Sequence, residues 1–271
     1  MVFDLNGKIA LISGGASGIG LNYAKELLKN GVKGVCLADV SPEFGDKALK
    51  DIEAEFGTNR AIFVQTDVTD IKQFQNAFEK TIETFKHIDI LINNAGILND
   101  SLWEKEISVN LNGTIHGTLL ALEKYLPSYK QGEDALIVNI SSIAGIAEIG
   151  FVPIYTATKH AIIGLTRAWG IPLVYERTKV RVVALCPGVT LTPLIADMSG
   201  RNLGKEYETI FEKIRPTFQP SQEPEYLAEE AMNVFKHGPN GTLWVIESGQ
   251  PAYEFKFPER FAQKGNVLSY D

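Results

Sequence analysis

Short runs of consecutive apolar residues recur along this chain of 271 residues, and they constrain its fold more than any other feature. Longer segments with a helical pattern separate them. Most of the runs are apolar at consecutive and not at alternate positions, so both faces of each predicted strand must be covered, as in a parallel sheet between two layers of helices. The runs that predict strands are Ile9 to Ile12, Val35 to Ala38, Ile62 to Val64, Ile88 to Ile92, Leu136 to Ile140, Val180 to Leu185 and Leu243 to Ile246.

This alternation predicts an α/β fold with a Rossmann-like, doubly wound parallel sheet of seven strands and helices on both faces. Residues 21–30 and 71–85 carry clear helical patterns, and Thr69 or Asp70 can cap the second of them. Consecutive strands are then joined by right-handed crossovers. The order of elements therefore determines the fold class before any motif is considered.

One domain is expected over residues 1–271, because no repeat, low-complexity tract or shift in composition marks a boundary. The segment 191–224 interrupts the alternation with mixed polar and apolar residues, and it is long enough to form a helical lid. A tail follows at 248–271. Pro172 lies where a long helix would continue, and its ring should kink or end that helix.

The net charge of −7 and the absence of a Lys/Arg run exclude the electrostatic footprint that nucleic-acid binding requires. The N-terminus has no apolar signal core, and no apolar run approaches the roughly 20 residues that span a bilayer. We therefore expect a cytoplasmic protein without nucleic-acid or membrane partners. Cys36 and Cys186 lie in apolar runs, which predicts buried thiols, and with four scattered His residues they predict no metal site.

A glycine-rich turn follows the first predicted strand and leads into a helix, with the spacing G-x-x-x-G-x-G. Glycines let the backbone turn tightly and approach a pyrophosphate, whose charge is then met by N–H groups at the helix N-terminus. A plain structural turn is the alternative at this point. The candidate cofactor-binding residues of the turn are Gly14, Ser17, Gly18, Ile19 and Gly20.

Asp39 ends the second predicted strand, nineteen residues after Gly20. An acid at this place can accept hydrogen bonds from both hydroxyls of an adenine ribose. It would repel a 2′-phosphate, and neither Ser17 nor Val40 offers a compensating charge, so NAD is favoured over NADP as the cofactor. Asp39 could instead only cap the helix that begins after Ser41.

Two further strand ends carry residues that can extend a cofactor site. In an open parallel sheet, ligands bind at the carboxyl ends of the strands. Asp67 and Val68 follow the third predicted strand, and the sequence Asn-Asn-Ala-Gly follows the fourth. From it Asn94, Ala95 and Gly96 are the candidates.

Tyr155 and Lys159 are one helical turn apart, so both project from the same helix face. A phenol has a pKa of about 10, and a neighbouring ammonium should lower that pKa enough for proton exchange near neutral pH. Ser142 ends the fifth predicted strand thirteen residues upstream, where its hydroxyl can reach a substrate oxygen. A Tyr and a Lys at this spacing also occur by chance, and only the combination with Ser142 and the glycine turn favours catalysis.

Taken together, these motifs resemble the short-chain dehydrogenase/reductase family, since the glycine turn, Asn-Asn-Ala-Gly, Ser142, Tyr-x-x-x-Lys and Pro187-Gly188 occur in that family's order along most of the chain. The resemblance implies hydride transfer between an alcohol and its carbonyl compound, with Tyr155 exchanging the proton and Ser142 orienting the carbonyl. Lys159 would also bind the nicotinamide ribose. Asn110 would kink its helix and hold a water that connects Lys159 to solvent.

The same resemblance implies that Pro187, Gly188, Val189 and Thr192 hold the nicotinamide carboxamide. It also implies a homodimer or homotetramer formed through residues 103–125 and 155–171.

Two branches of the family are most similar, the insect alcohol dehydrogenases and the 15-hydroxyprostaglandin dehydrogenases. Residues 240–244 and the tail resemble the first branch, and residues 103–105 and 186–188 resemble the second. Val152 departs from the second branch, which carries a polar residue there, so a prostaglandin substrate does not follow.

The substrate pocket is expected to be mainly apolar, which suits an aliphatic or lipid-like secondary alcohol, and a primary alcohol could also fit. Its apolar walls could equally be lid packing or a subunit contact. The same site could serve a carbonyl reductase working in the reverse direction, or the fold could belong to a catalytically silent binding, regulatory or storage protein. The candidate substrate-binding residues are Ser142, Glu148, Ile149, Val152, Tyr155 and Leu194, with Phe151, Ile195 and Met198 as further walls.

Overall fold

A central parallel sheet organises the protein in a computed structural model that describes residues 2–258. The spatial order of the strands is β3-β2-β1-β4-β5-β6-β7-β8. The strands are β1 (Ile9–Ser13), β2 (Gly34–Asp39), β3 (Ala61–Gln65), β4 (Ile90–Asn93), β5 (Ala135–Ile140), β6 (Val180–Pro187), β7 (Leu243–Ile246) and β8 (Tyr253–Glu254).

Strands β1 to β7 are parallel and coincide with the seven apolar runs, which confirms the predicted α/β fold. The predicted strand number was one too low among the described residues, because β8 adds an antiparallel edge to β7. This two-residue strand lies in the predicted tail and carries no apolar run, so periodicity could not reveal it. The last part of that tail, residues 259–271, lies outside the described residues.

Helices cover both faces of the sheet. Residues 103–129 form one continuous helix in which the α-helical segments are joined by two π-helical turns, Ser108–Asn112 and Ala121–Tyr125. The α-helices are α1 (Gly18–Lys29), α2 (Pro42–Phe56), α3 (Ile71–Phe85), α4 (Trp103–Ile107), α5 (Gly113–Leu120), α6 (Leu126–Tyr129), α7 (Pro153–Trp169), α8 (Pro172–Thr178), α9 (Pro193–Ala196), α10 (Lys205–Ile214) and α11 (Pro224–His237).

Separate apolar layers form on the two faces of the sheet. On one face, α1 packs against α11, and Tyr23 lies 5.9 Å from Phe235 between ring centroids. On the other face, Phe78 of α3 stacks on Tyr125 at 4.8 Å. Because every residue of β1, β4, β5 and β6 is buried between these layers, the sheet forms a rigid base from which the strand ends project.

Two local predictions are confirmed by this fold. The side chain of Asp70 caps α3 by accepting the backbone N–H of Lys72 at 2.9 Å, and α3 spans the predicted residues 71–85. Pro172 does end the long helix: α7 stops at Trp169, and Pro172 begins α8, where its missing N–H is not needed.

The cysteines also behave as predicted. Cys36 in β2 and Cys186 in β6 are both free and buried. Over residues 2–258, none of the helices has the length and apolar character needed to cross a membrane.

The crevice for a ligand follows from the strand order. Strand β1 lies between β2 and β4. The chain builds the sheet outward from β1 to β3 on one side and from β4 to β7 on the other side. In doubly wound folds such a switch point opens a crevice at the carboxyl ends of the strands. The turns after β1, β2 and β4 lie at this edge, and they carry the glycine turn, Asp39 and Asn94.

Candidate active site

The glycine turn requires its glycines for two separate reasons. Gly14 and Gly18 adopt φ angles of +60° and +51°, in the left-handed region where side chains are strained. Gly20 lacks room, because a Cβ built there would lie 2.2 Å from the carbonyl oxygen of Gly14. The turn is therefore closed against α1 in a shape that other residues would disrupt.

The N-terminus of α1 is suited to an anion. The first turn of any helix leaves backbone N–H groups without intrahelical partners. The side chain of Ser17 makes no capping hydrogen bond to them, and the first turn of α1 contains no acid. A pyrophosphate fits this arrangement, because the donors and the helix dipole both favour negative charge. Ile19, also predicted here, is half-buried and packs on the core.

Asn94 joins the glycine turn to the end of β4. Its amide Nδ2 donates to the carbonyl oxygens of Ser13 and Gly14, both at 3.0 Å. In return, the hydroxyl of Ser13 accepts the backbone N–H groups of Asn94 and Ala95 at 3.0 and 3.1 Å. These four hydrogen bonds fix two predicted parts of the cofactor site against each other.

Asp39 points back toward the glycine turn. Its Oδ2 accepts the backbone N–H of Ala16 at 3.1 Å, and its Oδ1 accepts that of Ser41 at 3.1 Å. The capping of α2 itself is done by the Ser41 hydroxyl, which accepts the N–H of Phe44. Asp39 is thus not the cap of α2, and its carboxylate keeps lone pairs that can accept ribose hydroxyls.

The remaining predicted cofactor residues lie at neighbouring strand ends. Asp67 is exposed and accepts both the N–H and the hydroxyl of Thr69, while Val68 is buried against Gly113. Thr192 reaches the glycine turn, since its side chain lies 3.7 Å from a Cβ built on Gly18. Pro187 is buried at the end of β6, Gly188 and Val189 follow it, and the backbone N–H of Gly188 donates to Ile246 of β7.

Tyr155 and Lys159 lie side by side on α7 as predicted. The ammonium Nζ of Lys159 is 5.4 Å from the centroid of the Tyr155 ring, and it donates to the carbonyl oxygen of Ile140 at 3.0 Å. Both side chains are buried. Burial lowers the pKa of Lys159 to about 8, so the ammonium is held close to its titration point at neutral pH.

The expected lowering of the phenol pKa is wrong for this structure. Burial raises the pKa of Tyr155 above its ordinary value. A hydrogen bond with Ser142 lowers that pKa but does not offset burial, and an ionised Glu106 would raise it further. Tyr155 is therefore a neutral phenol at physiological pH in this state of the site.

Asn110 lies in the π-helical turn Ser108–Asn112, so the helix is distorted where a kink was expected. Its Oδ1 accepts the backbone N–H of Ile97 at 2.8 Å, and its Nδ2 donates to the carbonyl oxygen of Ile97 at 2.9 Å. Gly96 connects this region to α7: a Cβ built there would lie 3.3 Å from Asn110 Oδ1 and 3.6 Å from Lys159 Nζ.

These contacts make one continuous site. Asn94 and Ala95 hydrogen-bond Gly14 and Ser13 at the glycine turn, and Gly96 lies beside the amide of Asn110 and the ammonium of Lys159. The phenol of Tyr155 is therefore within the same crevice as the anion site of α1. The phenol of Tyr155 and a helix N-terminus suited to an anion thus lie at one edge of the sheet.

An apolar cluster surrounds Tyr155 on the side facing residues 191–224. The predicted pocket residues Ile149, Phe151, Val152, Leu194 and Met198 all belong to it. Glu148, also predicted to contact substrate, is exposed at the surface. Sequence reasoning missed five members of this cluster, Leu98, Ala144, Phe211, Ile214 and Phe218.

Segment 191–224 covers this cluster with its own aromatic rings. Phe211 of α10 lies 5.0 Å from Phe151 between ring centroids, and Phe218 lies 5.7 Å from Phe151. The amphipathic pattern of residues 205–214 was the signal that could have identified Phe211.

Two buried acids were also missed. Asp100 and Glu106 are fully buried beside the N-terminus of α7. The oxygens of Asp100 accept the backbone N–H groups of Ile154 and Tyr155 at 2.8 and 3.0 Å. Nothing in the sequence separates Glu106 from the exposed Glu104 of the same helix, so this pair had no usable signal.

Comparisons with known proteins agree with the geometry. The family model described as short chain dehydrogenase matches residues 8–202. The chain is 35% identical over 249 residues to rat (Rattus norvegicus) 15-hydroxyprostaglandin dehydrogenase (NAD+), covering 91% of this chain and 93% of the relative. It is 31% identical over 245 residues to alcohol dehydrogenase 2 of Ceratitis cosyra, covering 90% and 93%.

A solved structure shares the fold. The 3-ketoacyl-(acyl-carrier-protein) reductase from Brucella melitensis, crystallised in complex with NADH, superposes with a TM-score of 0.73 at 26% identity. The match covers 90% of this chain and 98% of that chain. The predicted resemblance, including both branches, is thereby confirmed.

Proposed function

The chain belongs to the short-chain dehydrogenase family of oxidoreductases, and from this premise we propose that it is an NAD-dependent alcohol dehydrogenase. It would interconvert a secondary alcohol and its ketone. The observation that carries this proposal is the placement of Tyr155 and Lys159 in one crevice with the glycine turn. A binding or storage protein on the same fold would have no need to keep this arrangement buried and intact.

NAD(H) fits the residues present. The uncapped N-terminus of α1 would hold the pyrophosphate, and Asp39 would accept the adenine ribose hydroxyls. The negative charge of Asp39 disfavours a 2′-phosphate. The NAD+ of the rat relative's name and the NADH bound to the Brucella melitensis reductase support the same assignment. When bound, the nicotinamide accepts or donates the hydride.

Side chains of the protein would donate and accept the proton of the reaction. Ser142, which hydrogen-bonds Tyr155, would also hold the substrate oxygen within reach of the phenol. Tyr155 would give its proton to that oxygen in reduction and take it back in oxidation. Lys159 would stabilise the negative phenolate, and Asn110 would fix the helix beside it. A neutral Tyr155 would donate its proton in the reductive direction. The phenolate, stabilised by Lys159, would accept a proton in the oxidative direction.

The substrate would be apolar. The cluster around Tyr155 consists of aliphatic and aromatic side chains, and α10 adds Phe211 as a cover. An aliphatic or lipid-like alcohol gains binding free energy by burying its chain there. Residues 191–224 would act as the lid, since Phe211 and Phe218 of this segment pack on Phe151 in the cluster.

The test combines cofactor binding with one substitution. Fluorescence titration should show NADH binding more tightly than NADPH, and a panel of secondary alcohols from 2-propanol to 2-decanol should reduce NAD+. Tyr155→Phe removes only the hydroxyl and should lower kcat by roughly 10²–10⁴-fold, the usual contribution of general acid–base catalysis, while NADH still binds.

Tyr129→Phe is the matched control, because it removes a hydroxyl from a half-exposed tyrosine of α6. Its kcat should equal that of the unmodified protein. Tighter binding of NADPH would overturn the cofactor assignment, and unchanged turnover by Tyr155→Phe would overturn the mechanism.

A further inference from the structure

Two acids meet beside the catalytic helix without belonging to the proposed chemistry. Asp100 lies in the turn after β4, and Glu106 lies on α4, yet both have side chains without solvent exposure. Two ionised carboxylates side by side in a dry interior would repel each other strongly. The two acids are therefore compatible in this place only if one of their carboxyl groups holds a proton.

Both carboxylate oxygens of Asp100 accept hydrogen bonds from the backbone. Its Oδ2 accepts the backbone N–H of Ile154 at 2.8 Å, and its Oδ1 accepts the backbone N–H of Tyr155 at 3.0 Å. These are free donors in the first turn of α7, where the helix dipole also favours a negative charge. Both oxygens of Asp100 thus have N–H donors, so Asp100 needs no proton to complete its hydrogen bonds.

Glu106 is satisfied only as a neutral acid. Its Oε1 accepts the backbone N–H of Asn99 at 2.7 Å. As a carboxylate, its Oε2 would be buried with no donor among the described residues. A protonated Glu106 removes this deficit, because it can donate a hydrogen bond to Asp100, with which it is paired.

We propose that Glu106 is a neutral carboxylic acid that donates a hydrogen bond to the carboxylate of Asp100, and that this pair positions Tyr155 by fixing the first turn of α7. The inference rests on the proposed function of Tyr155. Asp100 and Glu106 are then positioning residues, since they act through the backbone of Tyr155 and not on a substrate.

The pair also connects the helix to the lid. The backbone N–H of Asp100 donates to the carbonyl oxygen of Arg201 at 2.8 Å, and the side chain of Arg201 donates to the carbonyl oxygen of Leu194 at 3.0 Å. Residues 194–201 are thus anchored to the same acid that holds Tyr155. Loss of the pair should loosen the lid and the phenol together.

Taken together, the surroundings of Glu106 favour its protonated form. The pKa of Glu106 is raised to about 8 in total, mainly by burial. The hydrogen bond and charge of Asp100 contribute to this rise, and the N–H of Asn99 and the charge of Lys159 oppose it. Tyr155 also faces Glu106 from α7. The other charged groups of α4, Glu104 and Lys105, are exposed.

The pH dependence has a definite sign. An unfolded glutamate titrates near pH 4.3, so between about pH 4.3 and 8 the folded state binds the extra proton. The pair's contribution to stability is complete below this window and is lost as the pH rises through it. Glu106→Gln keeps both hydrogen bonds without titrating, so its melting temperature relative to the unmodified protein should rise by about 5 °C from pH 5 to pH 8.

Infrared spectroscopy detects the proton directly. The carbonyl band of a protonated carboxylic acid should be present at pH 7 in the unmodified protein and in Glu104→Gln, and absent in Glu106→Gln. Glu104→Gln is the matched control, since Glu104 is the exposed acid of the same helix. An identical band in all three proteins, together with parallel melting curves, would overturn the protonation of Glu106.

Kinetics tests the positioning role separately. Glu106→Leu should lower kcat about tenfold with the Kd for NADH unchanged, and Glu106→Gln should restore most of that loss. Asp100→Asn, which can accept only one of the two N–H groups, should lower kcat in the same way. Lower melting temperatures with unchanged kcat would overturn the positioning role, because a purely structural pair would produce that result.

The two proposals fail in distinguishable ways. If the unmodified protein oxidises no alcohol, the proposed function fails, while the infrared band and the melting curves still decide the state of Glu106. If turnover depends on Tyr155 but not on Asp100 or Glu106, only the further inference fails.

Discussion

The ammonium of Lys159 is buried and donates a hydrogen bond to the backbone carbonyl oxygen of Ile140 at 3.0 Å. This contact attaches the centre of α7 to the end of β5. It also keeps a positive charge in a dry environment, where a charged amine is less stable than in water. The arrangement is typical of a functional site that lowers the stability of the fold.

The first prediction therefore concerns stability. Burial lowers the pKa of Lys159 to about 8, against about 10.4 in the unfolded chain, so the unfolded state holds the proton more tightly. Stability should rise with pH between about 8 and 10.4, and below pH 8 the buried charge reduces it. Lys159→Met should thus raise the free energy of unfolding at pH 7 by about 1–3 kcal/mol while abolishing turnover.

Denaturant titrations at pH 7 and pH 10 provide the measurement, and the gain should shrink at the higher pH. Lys47→Met, at an exposed lysine of α2, is the control and should change stability little. A Lys159→Met protein that is less stable than the unmodified one at pH 7 would contradict the expected cost of the charge.

The second prediction concerns chain length in the substrate. Phe211 covers the cluster around Tyr155, and its ring contacts Phe151. Phe211→Ala should lower kcat/KM for 2-decanol about tenfold, because it removes apolar contact of about 1.4 kcal/mol from a long chain. A short alcohol such as 2-propanol should lose less than about threefold, since it does not extend to the lid.

Steady-state kinetics with both alcohols measures this difference. Phe44→Ala is the matched control, as Phe44 is an exposed phenylalanine of α2 outside the apolar cluster around Tyr155. Equal losses for the long and the short alcohol would show that Phe211 supports the fold and not the binding of the chain.

The third prediction concerns assembly. The segments expected to form a subunit contact expose large apolar side chains, with Trp103 at 47%, Leu119 at 42% and Ile171 at 44% of full exposure. Apolar surface of this kind is stabilised by burial in an interface. We expect a homodimer or homotetramer, and Leu119→Glu should shift it toward the monomer because the interface would bury an unpaired charge.

Light scattering coupled to gel filtration measures the mass. Leu173→Glu is the control, because Leu173 is a more exposed leucine on α8, outside the predicted interface. A mass of one chain for the unmodified protein would exclude the oligomer.

Much of the site was accessible from local patterns. The glycine turn, Asp39, Asn94 and the pair Tyr155 and Lys159 follow strand ends or a helical turn, and the structure brings them to one edge of the sheet. Their predicted proximity depended only on the rule that parallel strands end at the same edge. Such features are visible in a sequence because they concern neighbours along the chain.

Other features had no local signature. The pKa of Tyr155 was expected to fall because Lys159 is near, but it is raised because burial outweighs the other effects. The strand β8 is too short for periodicity, and the roles of Phe211 and Asp100 depend on partners far along the chain. A distance of fifty-five residues separates Asp100 from Tyr155, whose N–H it accepts.

The sequence alone determined the α/β fold, the glycine turn and the spacing of Tyr155 and Lys159, because apolar runs, glycines and helical turns act over a few residues. Only the tertiary structure decided that Glu106 is buried while Glu104 is exposed, and that burial controls the titration of Tyr155 and Lys159. Burial and pKa depend on which elements pack together, and that packing brings distant parts of the chain into one low-dielectric environment.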